Sequence, residues 1–346
     1  KGIINCEIIL DTTKSTNVNF KLNGENWVWK NQELNYLYNA DSIIAEGSFQ
    51  NASLRLLPLR IQSKNRLIAF SGNIGSQDQH GKLEIENFPL DLLNKYIKLP
   101  VNITGNLNAT AALSGSINNP HAIGRASIIN GAINQKPLNL ADSSFSYTNG
   151  RLYFGSELKI INLESVNING SVPYSLPFAT VTTESNKIEL HIQVENEGLA
   201  VLNLFTDELA FQKGEGEIDI KVDGTWRSPQ LNGIARLNDA IFSTRMLPGQ
   251  LTQVTGEINF DFDRIIVKNI QGNYSLGKVK AHGEIPIASN HNTQIDNPLT
   301  VYFDKLLLNL KGLYQGNASG RLEVIGAFLN PNISGNVNLS EGRVIL

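Results

Sequence analysis

The sequence predicts an all-β protein with one or two short helices, built from a repeated unit of antiparallel strands. Three observations predict it. Apolar and polar residues alternate with period two over most of the chain, the pattern of strands with one apolar face. A box of Gly, four residues, Pro, three residues, Gly occurs three times, as Gly115-Pro120-Gly124, Gly224-Pro229-Gly233 and Gly326-Pro331-Gly335. Its three positions shift together from copy to copy, by 109 residues (115 to 224) and then by 102 (224 to 326), which marks an internal repeat and a stacked architecture. Asn and Gly are abundant, and both tolerate the left-handed backbone of tight hairpin turns.

The clearest copy runs from Gly216 to Phe242. Ile218, Ile220 and Val222 alternate with Glu217, Asp219, Lys221 and Asp223. Gly224 ends that strand, Pro229 sits in the connection, and Gly233 opens the next strand. Residues 1 to 75 read as strands throughout, with Val18, Phe20 and Leu22 alternating before Gly24. In NASLRLLPLRIQ, Leu54 and Leu56 share one face and Leu57, Leu59 and Ile61 the other. Pro58 removes a ladder donor there, so this strand lies at an edge or carries a bulge. Gly72-Asn73-Ile74, Gly170-Ser171-Val172-Pro173 and Gly283-Glu284-Ile285-Pro286 each close a strand. Pro137 and Pro248 follow their boxes at similar spacing. Later strands alternate in the same way: Leu107, Ala109, Ala111 and Leu113, then Ile188, Leu190, Ile192 and Val194, then Ile258, Phe260 and Phe262, and finally Leu322 and Val324.

Two stretches break the strand pattern, each just before a box. FPLDLLNKYI (88–97) puts Phe88, Leu92, Leu93, Tyr96 and Ile97 on one helical face, and EGLAVLNLFTDEL (197–209) does so with Leu199, Leu202, Phe205 and Leu209. Both read as short amphipathic helices that plug or cap local apolar surface. Before the third box, TVYFDKLLLNLKG reads as a strand instead. The repeats divide the 346 residues into a partial first unit (1–75), a second (76–185), a third (186–290) and a partial last (291–346), expected to form one continuous elongated body.

The net charge is −3, with no basic block, which argues against a nucleic-acid surface. Cys6 is the only cysteine, so a disulfide framework within the chain and a cysteine-based zinc site are excluded. No run approaches the ~18 apolar residues of a membrane-spanning helix. The chain starts at Lys1 without Met and stops in GRVIL, so it reads as a piece of a longer parent. The histidines (His80, His121, His191, His282 and His291) are scattered and lack metal-ligand spacing, and in the later boxes Gln230 and Asn332 hold the place of His121. Asp261 and Asp263 in FDFDR read as a solvated carboxylate pair on one strand face. Gly72-Asn73-Ile74-Gly75 lacks the Lys-Ser/Thr of a phosphate loop. Nothing here points to an enzyme, a metal site or a cofactor.

Every strand has one apolar face to cover. Two packed sheets, a closed solenoid or one long sheet curled into a trough would each cover it. Periodicity does not choose among them, although about a hundred residues per unit suits hairpins better than a solenoid coil of ~20 to 30 residues.

The second box with its sequel, LPGQLTQVTGEINFDFDRIIVKNIQGNYSLGKVKAHGEIPI, and the same grammar near 105 to 172, resemble the TamB family. That family belongs to the AsmA-like bridge proteins of bacterial envelopes, which have a chloroplast-envelope relative, and the Asn-rich, Lys-poor flavour is similar to cyanobacterial members. The resemblance covers most of the chain, best from about 100 to 346, and rests on Gly and Pro punctuation. It implies an elongated curled antiparallel sheet, a β-taco, with an apolar inner groove in the periplasm or intermembrane space. It also implies a parent anchored in the inner membrane through parts absent here.

The implied partners are phospholipid acyl chains and an Omp85-type outer-membrane barrel protein. The implied role is phospholipid transfer between the two membranes, linked to outer-membrane biogenesis; the alternative is a scaffold for outer-membrane β-barrel protein assembly and translocation. Roughly 25 strands at about 4.8 Å would give a body on the order of 120 Å long. On this reading Ile188, Leu190, Ile192, Val194, Ile218, Ile220, Val222, Ile258, Phe260 and Phe262 line the groove.

Overall fold

The computed structural model describes residues 2–13, 17–31, 36–75, 79–93, 102–138, 140–159, 165–176, 179–204, 209–226, 228–245, 248–287, 296–310, 313–328 and 330–344. The chain divides into two compact units, Lys1–Leu158 with Asn169–Asn186, and Lys159–Ile168 with Lys187–Leu346.

In the first unit the strands are β1 (Ile3–Asp11), β2 (Asn17–Asn31), β3 (Tyr36–Gln50), β4 (Ser53–Ser63), β5 (Arg66–Gly75), β6 (His80–Pro89), β7 (Ile103–Gly115), β8 (Pro120–Ile133), the two-residue β9 (Lys136–Pro137), β10 (Leu140–Thr148) and β11 (Arg151–Lys159). Helix α1 (Leu90–Leu93) lies between β6 and β7. Strand β12 (Ser165–Pro173) falls across the division. The second unit holds β13 (Glu189–Glu195), a 3-10 helix (Asn196–Leu204), β14 (Leu209–Thr225), β15 (Ser228–Thr244), β16 (Gln250–Phe262), β17 (Arg264–Tyr274), β18 (Gly277–Pro286), β19 (Leu299–Leu310), β20 (Tyr314–Ala327) and β21 (Asn330–Val344).

Each strand from β1 to β8 pairs antiparallel with the next, and β8 also pairs with β9 and β10. The strands β13 to β21 form a second uninterrupted antiparallel meander. These ladders choose among the three coverings. A solenoid would need parallel coils, and a sandwich would need a second sheet facing the first within the unit. What remains is one layer that curls. In the second unit β18 touches β20, two places away, and Phe328 N–H donates to the Pro286 carbonyl at 2.8 Å.

Tight turns explain the asparagines. Asn51-Ala52, Asn134-Gln135 and Asn149-Gly150 all have positive φ at both positions, the geometry that matches the twist of two-residue hairpins. Other left-handed residues mark bulges. Asn87, Asp239, Gln253 and Lys305 each sit where the register shifts by an extra residue. Such a bulge changes the phase of the alternation once, which keeps apolar residues facing inward beyond it. Leu56–Leu59 shows the consequence. The register shifts there, so Leu54, Leu56, Leu59 and Ile61 share the inner face, and Leu57 is the residue left outside, 48% exposed. The two-face division of this strand expected from strict alternation is therefore wrong, because Leu57-Pro58 is a bulge in a strand paired on both sides.

Strand residues enter both helical stretches at their ends. Within the described part of 88–97, Leu90–Leu93 is helical and Phe88 and Pro89 belong to β6; 94–97 lie outside the described residues. Of 197–209, the described part is the 3-10 helix, Leu209 starts β14, and 205–208 are not described. Its buried residues are Leu199, Ala200, Val201 and Leu204, with Leu202 left exposed, so a consecutive run is covered rather than the single face expected. Before the third box, β19 is a strand, as expected.

All three boxes are the same hairpin. Gly115 pairs with Pro120, Gly224 with Pro229 and Gly326 with Pro331. In each, a Cβ on the last glycine would collide with a carbonyl of the neighbouring strand, that of Thr110, Asp219 or Arg321, five residues before the first glycine of the box. Gly233→Ala is therefore expected to destabilise the second unit by about 1–3 kcal/mol, read as a lower thermal midpoint; an unchanged midpoint would contradict the shared-hairpin account.

Candidate functional site

Cross-strand partners point to the same side of a sheet, so the printed registers trace rows across it. One row crosses the first unit through Cys6, Leu22, Ala45, Leu59, Phe70, Leu83, Ala111, Gly124 and Phe145. A row in the second unit runs Val194, Ile218, Ala235, Ile258, Val267 and Gly283, and beside it runs Ile192, Ile220, Gly233, Phe260, Ile265 and Ile285. None of these residues is charged. An unbroken apolar band therefore runs from β1 through β8 to β10 in the first unit and from β13 to β18 in the second.

Glycines in the band lie opposite phenylalanines. Gly47 faces Phe20, Gly124 faces Phe145, Gly233 faces Phe260 and Gly320 faces Phe303. A Cβ on Gly124 or Gly320 would stand 2.8 or 2.9 Å from the facing ring's Cζ. The absent side chain lets the ring lie across the neighbouring strand.

On the opposite side of the second unit, charges alternate in sign from strand to strand. Arg236 bonds Glu217 on one side and Glu257 on the other, the latter at 3.2 Å, and Lys268 Nζ reaches Glu257 at 2.6 Å. Hydrogen bonds from Lys268 and then Arg236 hold the Glu257 carboxyl below its ordinary pKa. Asp219 is lowered too, first by its hydrogen bond with His191 at 2.7 Å. In the first unit, a concavity of about 810 Å³ is lined by Ala111, Gly124 and Phe145 together with Lys82, Ile123, Arg125 and Tyr153.

Residues 268–346, from within β17 to the end of the chain, match the family model described as the TamB C-terminal domain. The carboxy-terminal part of the chain is thus similar to the TamB family. It is 22% identical to Protein TIC236, chloroplastic, of Arabidopsis thaliana, over 94% of this chain and 18% of that protein. Against Protein SUBSTANDARD STARCH GRAIN 4, chloroplastic, of Oryza sativa subsp. japonica, identity is 20% over 96% of this chain and 19% of the relative. The chain thus spans less than a fifth of the length of these curated relatives. No solved structure matches it significantly. The TamB family is envelope-associated.

Nine of the ten residues expected to line a groove share the inner side of the second unit's sheet. Leu190, Ile192, Ile218, Ile220, Val222, Ile258 and Phe260 are half-buried, while Ile188 and Val194 are 2% exposed. Phe262, the last residue of β16, keeps its register against Leu231 but enters the turn to Arg264 with φ 56° and 55% of its surface exposed. Asp263 occupies the same turn and bonds Arg264 at 3.4 Å, so it does not share a strand face with Asp261. His191 is paired with Asp219, His282 stacks near Tyr302, and His291 lies outside the described residues. Among the described residues no three His, Cys, Asp or Glu side chains gather as a metal site, and no helix is long and apolar enough to cross a membrane.

Reading strand by strand missed the inner residues of β15, β17 and β18. Gly233 has no side chain to count, and Ile265, Ile266 and Val267 form a continuous apolar run with no alternation.

The charged side makes a pH prediction. A carboxyl whose folded pKa is depressed stabilises the fold above its unfolded value, about 4, and that contribution is lost as pH falls toward the folded value. The thermal midpoint should fall between pH 5 and about pH 3, and Glu257→Gln should reduce the fall. An identical fall in the variant would remove the ladder from the account.

Proposed function

We propose that this chain is a segment of an envelope bridge protein whose apolar inner face carries phospholipid acyl chains between two membranes. The observation that carries the reading is the unbroken apolar band in each unit, on the inner side of a sheet with no second layer to fill it. An acyl chain crossing water exposes about 0.8 kcal/mol of apolar surface per CH₂. A continuous apolar strip removes most of that cost at every step. Its contacts are non-directional, so cargo slides rather than lodges. The half-buried state of Ile218, Ile220, Ile258 and Phe260 fits a surface reachable by a thin chain and screened from bulk water.

A second reading has its own observation. Among the described residues, β1 pairs with β2 alone and β21 with β20 alone, and Ile8, Ile9, Leu10, Ile333, Val337 and Leu339 on these edges are all at least half exposed. Open apolar edges suit strand addition, the contact an assembly scaffold for barrel proteins would offer alongside an Omp85-type partner.

Native mass spectrometry of the purified chain tests the first reading. Phospholipid is expected to co-purify, and Ile220→Asp with Phe260→Asp should remove it from protein that keeps its circular dichroism. Lipid retained by the folded double variant would contradict the groove. Lipid-free wild-type protein would shift the weight to the edges.

A further inference from the structure

The 3-10 helix Asn196–Leu204 lies on the apolar band itself. Leu199 is 0% exposed, and Leu204 is 3% exposed. The Leu199 Cδ1 stands 2.8 Å from where a Cβ of Gly216 would be. Gly216 lies two residues before Ile218 on the same side of β14, so the helix rests on the inner face and uses a glycine as its seat. It also touches β13, whose Val194 is 2% exposed. The predicted lining at this end is therefore already covered, by a segment of the chain.

How that segment is held matters. A nine-residue 3-10 helix is long for its type, whose hydrogen bonds are poor. Its own backbone does little to hold it in place. One polar tether is Asn203, whose carboxamide donates to the Phe211 carbonyl at 2.8 Å and accepts from the Phe211 N–H at 2.7 Å. That pair imitates one rung of a β-ladder, next to the place where β14 slips register against β15. Leu199 and Leu204 add buried apolar contact of the kind an acyl chain supplies equally well. Helix α1 occupies the corresponding place in the first unit, between β6 and the box strand β7, and packs on β7. Before the third box, β19 and β20 are too close in sequence for such an insertion.

We propose that Asn196–Leu204 is a displaceable plug that competes with an acyl chain for the inner face of β13 and β14. This rests on the groove reading above. With the plug seated, this end of the band is closed and its leucines are kept from water. An entering acyl chain exchanges one apolar partner for another, so the face is never bare. Displacement breaks the Asn203 tether, which makes that residue the control point.

The test places one reporter cysteine in a Cys6→Ser background. Ala200→Cys reports the buried side with little change in volume, and Leu202→Cys is the exposed control. Thiol labelling is timed with and without dioctanoyl phosphatidylcholine, and loading is read in parallel by native mass spectrometry. Loading should speed labelling at position 200 roughly tenfold and leave 202 unchanged. Asn203→Leu alone should give a rise of roughly tenfold without lipid, from the two lost hydrogen bonds. Should only the Asn203→Leu chain load, the plug is supported as a closed gate. Loading with position 200 still protected would overturn the plug and leave the groove standing. No loading in either chain would overturn the groove reading in this unit, and the plug with it.

Discussion

A sheet one layer thick has no second layer to hide its apolar side, and the rest of this structure follows from that constraint. Strands pair in chain order through tight turns, so the layer grows without a crossover that could fold a second sheet over the first. Among the described residues, the apolar side is covered by the curl of the sheet and by short inserted helices. Holding the apolar rows on that side requires the phase to be reset wherever the alternation fails. Bulges at Leu57-Pro58, Asp239, Gln253 and Lys305 do this. A one-residue slip without them would turn the whole inner set outward.

Strand identity and the repeat were legible because both are local. The box needs a turn, a residue without an N–H, and a glycine where a neighbouring carbonyl presses close, and each leaves a letter in the sequence. All three copies fold into the same hairpin with the same pairs. Phase was not legible. Leu59 and Ile61 return to the side of Leu56 because of a bulge, and Phe262 keeps its register against Leu231 yet is exposed because its backbone turns left-handed. Both depend on the partner strand. The helices were visible as breaks in alternation, yet Leu202 is not on the buried side expected of it.

The site was half legible for a related reason. Alternating strands such as Ile218-Ile220-Val222 announced themselves, whereas Gly233, Ala235 and the doubly apolar run at 265–267 did not. The band exists only when registers are known, because it runs perpendicular to the chain. Its polar counterpart carries the order of charges from Glu217 to Arg236 to Glu257, which no single strand displays. The two sides answer different needs. The charged rows mark register on the polar side, and the apolar rows give the other side uniform, non-directional contacts.

The most direct measurement places a photo-crosslinking amino acid at each position from Ile218 to Asp223 in turn and illuminates the folded chain after loading with phospholipid. The account predicts crosslinks to lipid at 218, 220 and 222 and none at 219, 221 and 223, a period of two along one strand. Equal crosslinking at all six positions, or at the odd positions alone, would contradict an inner face that holds acyl chains.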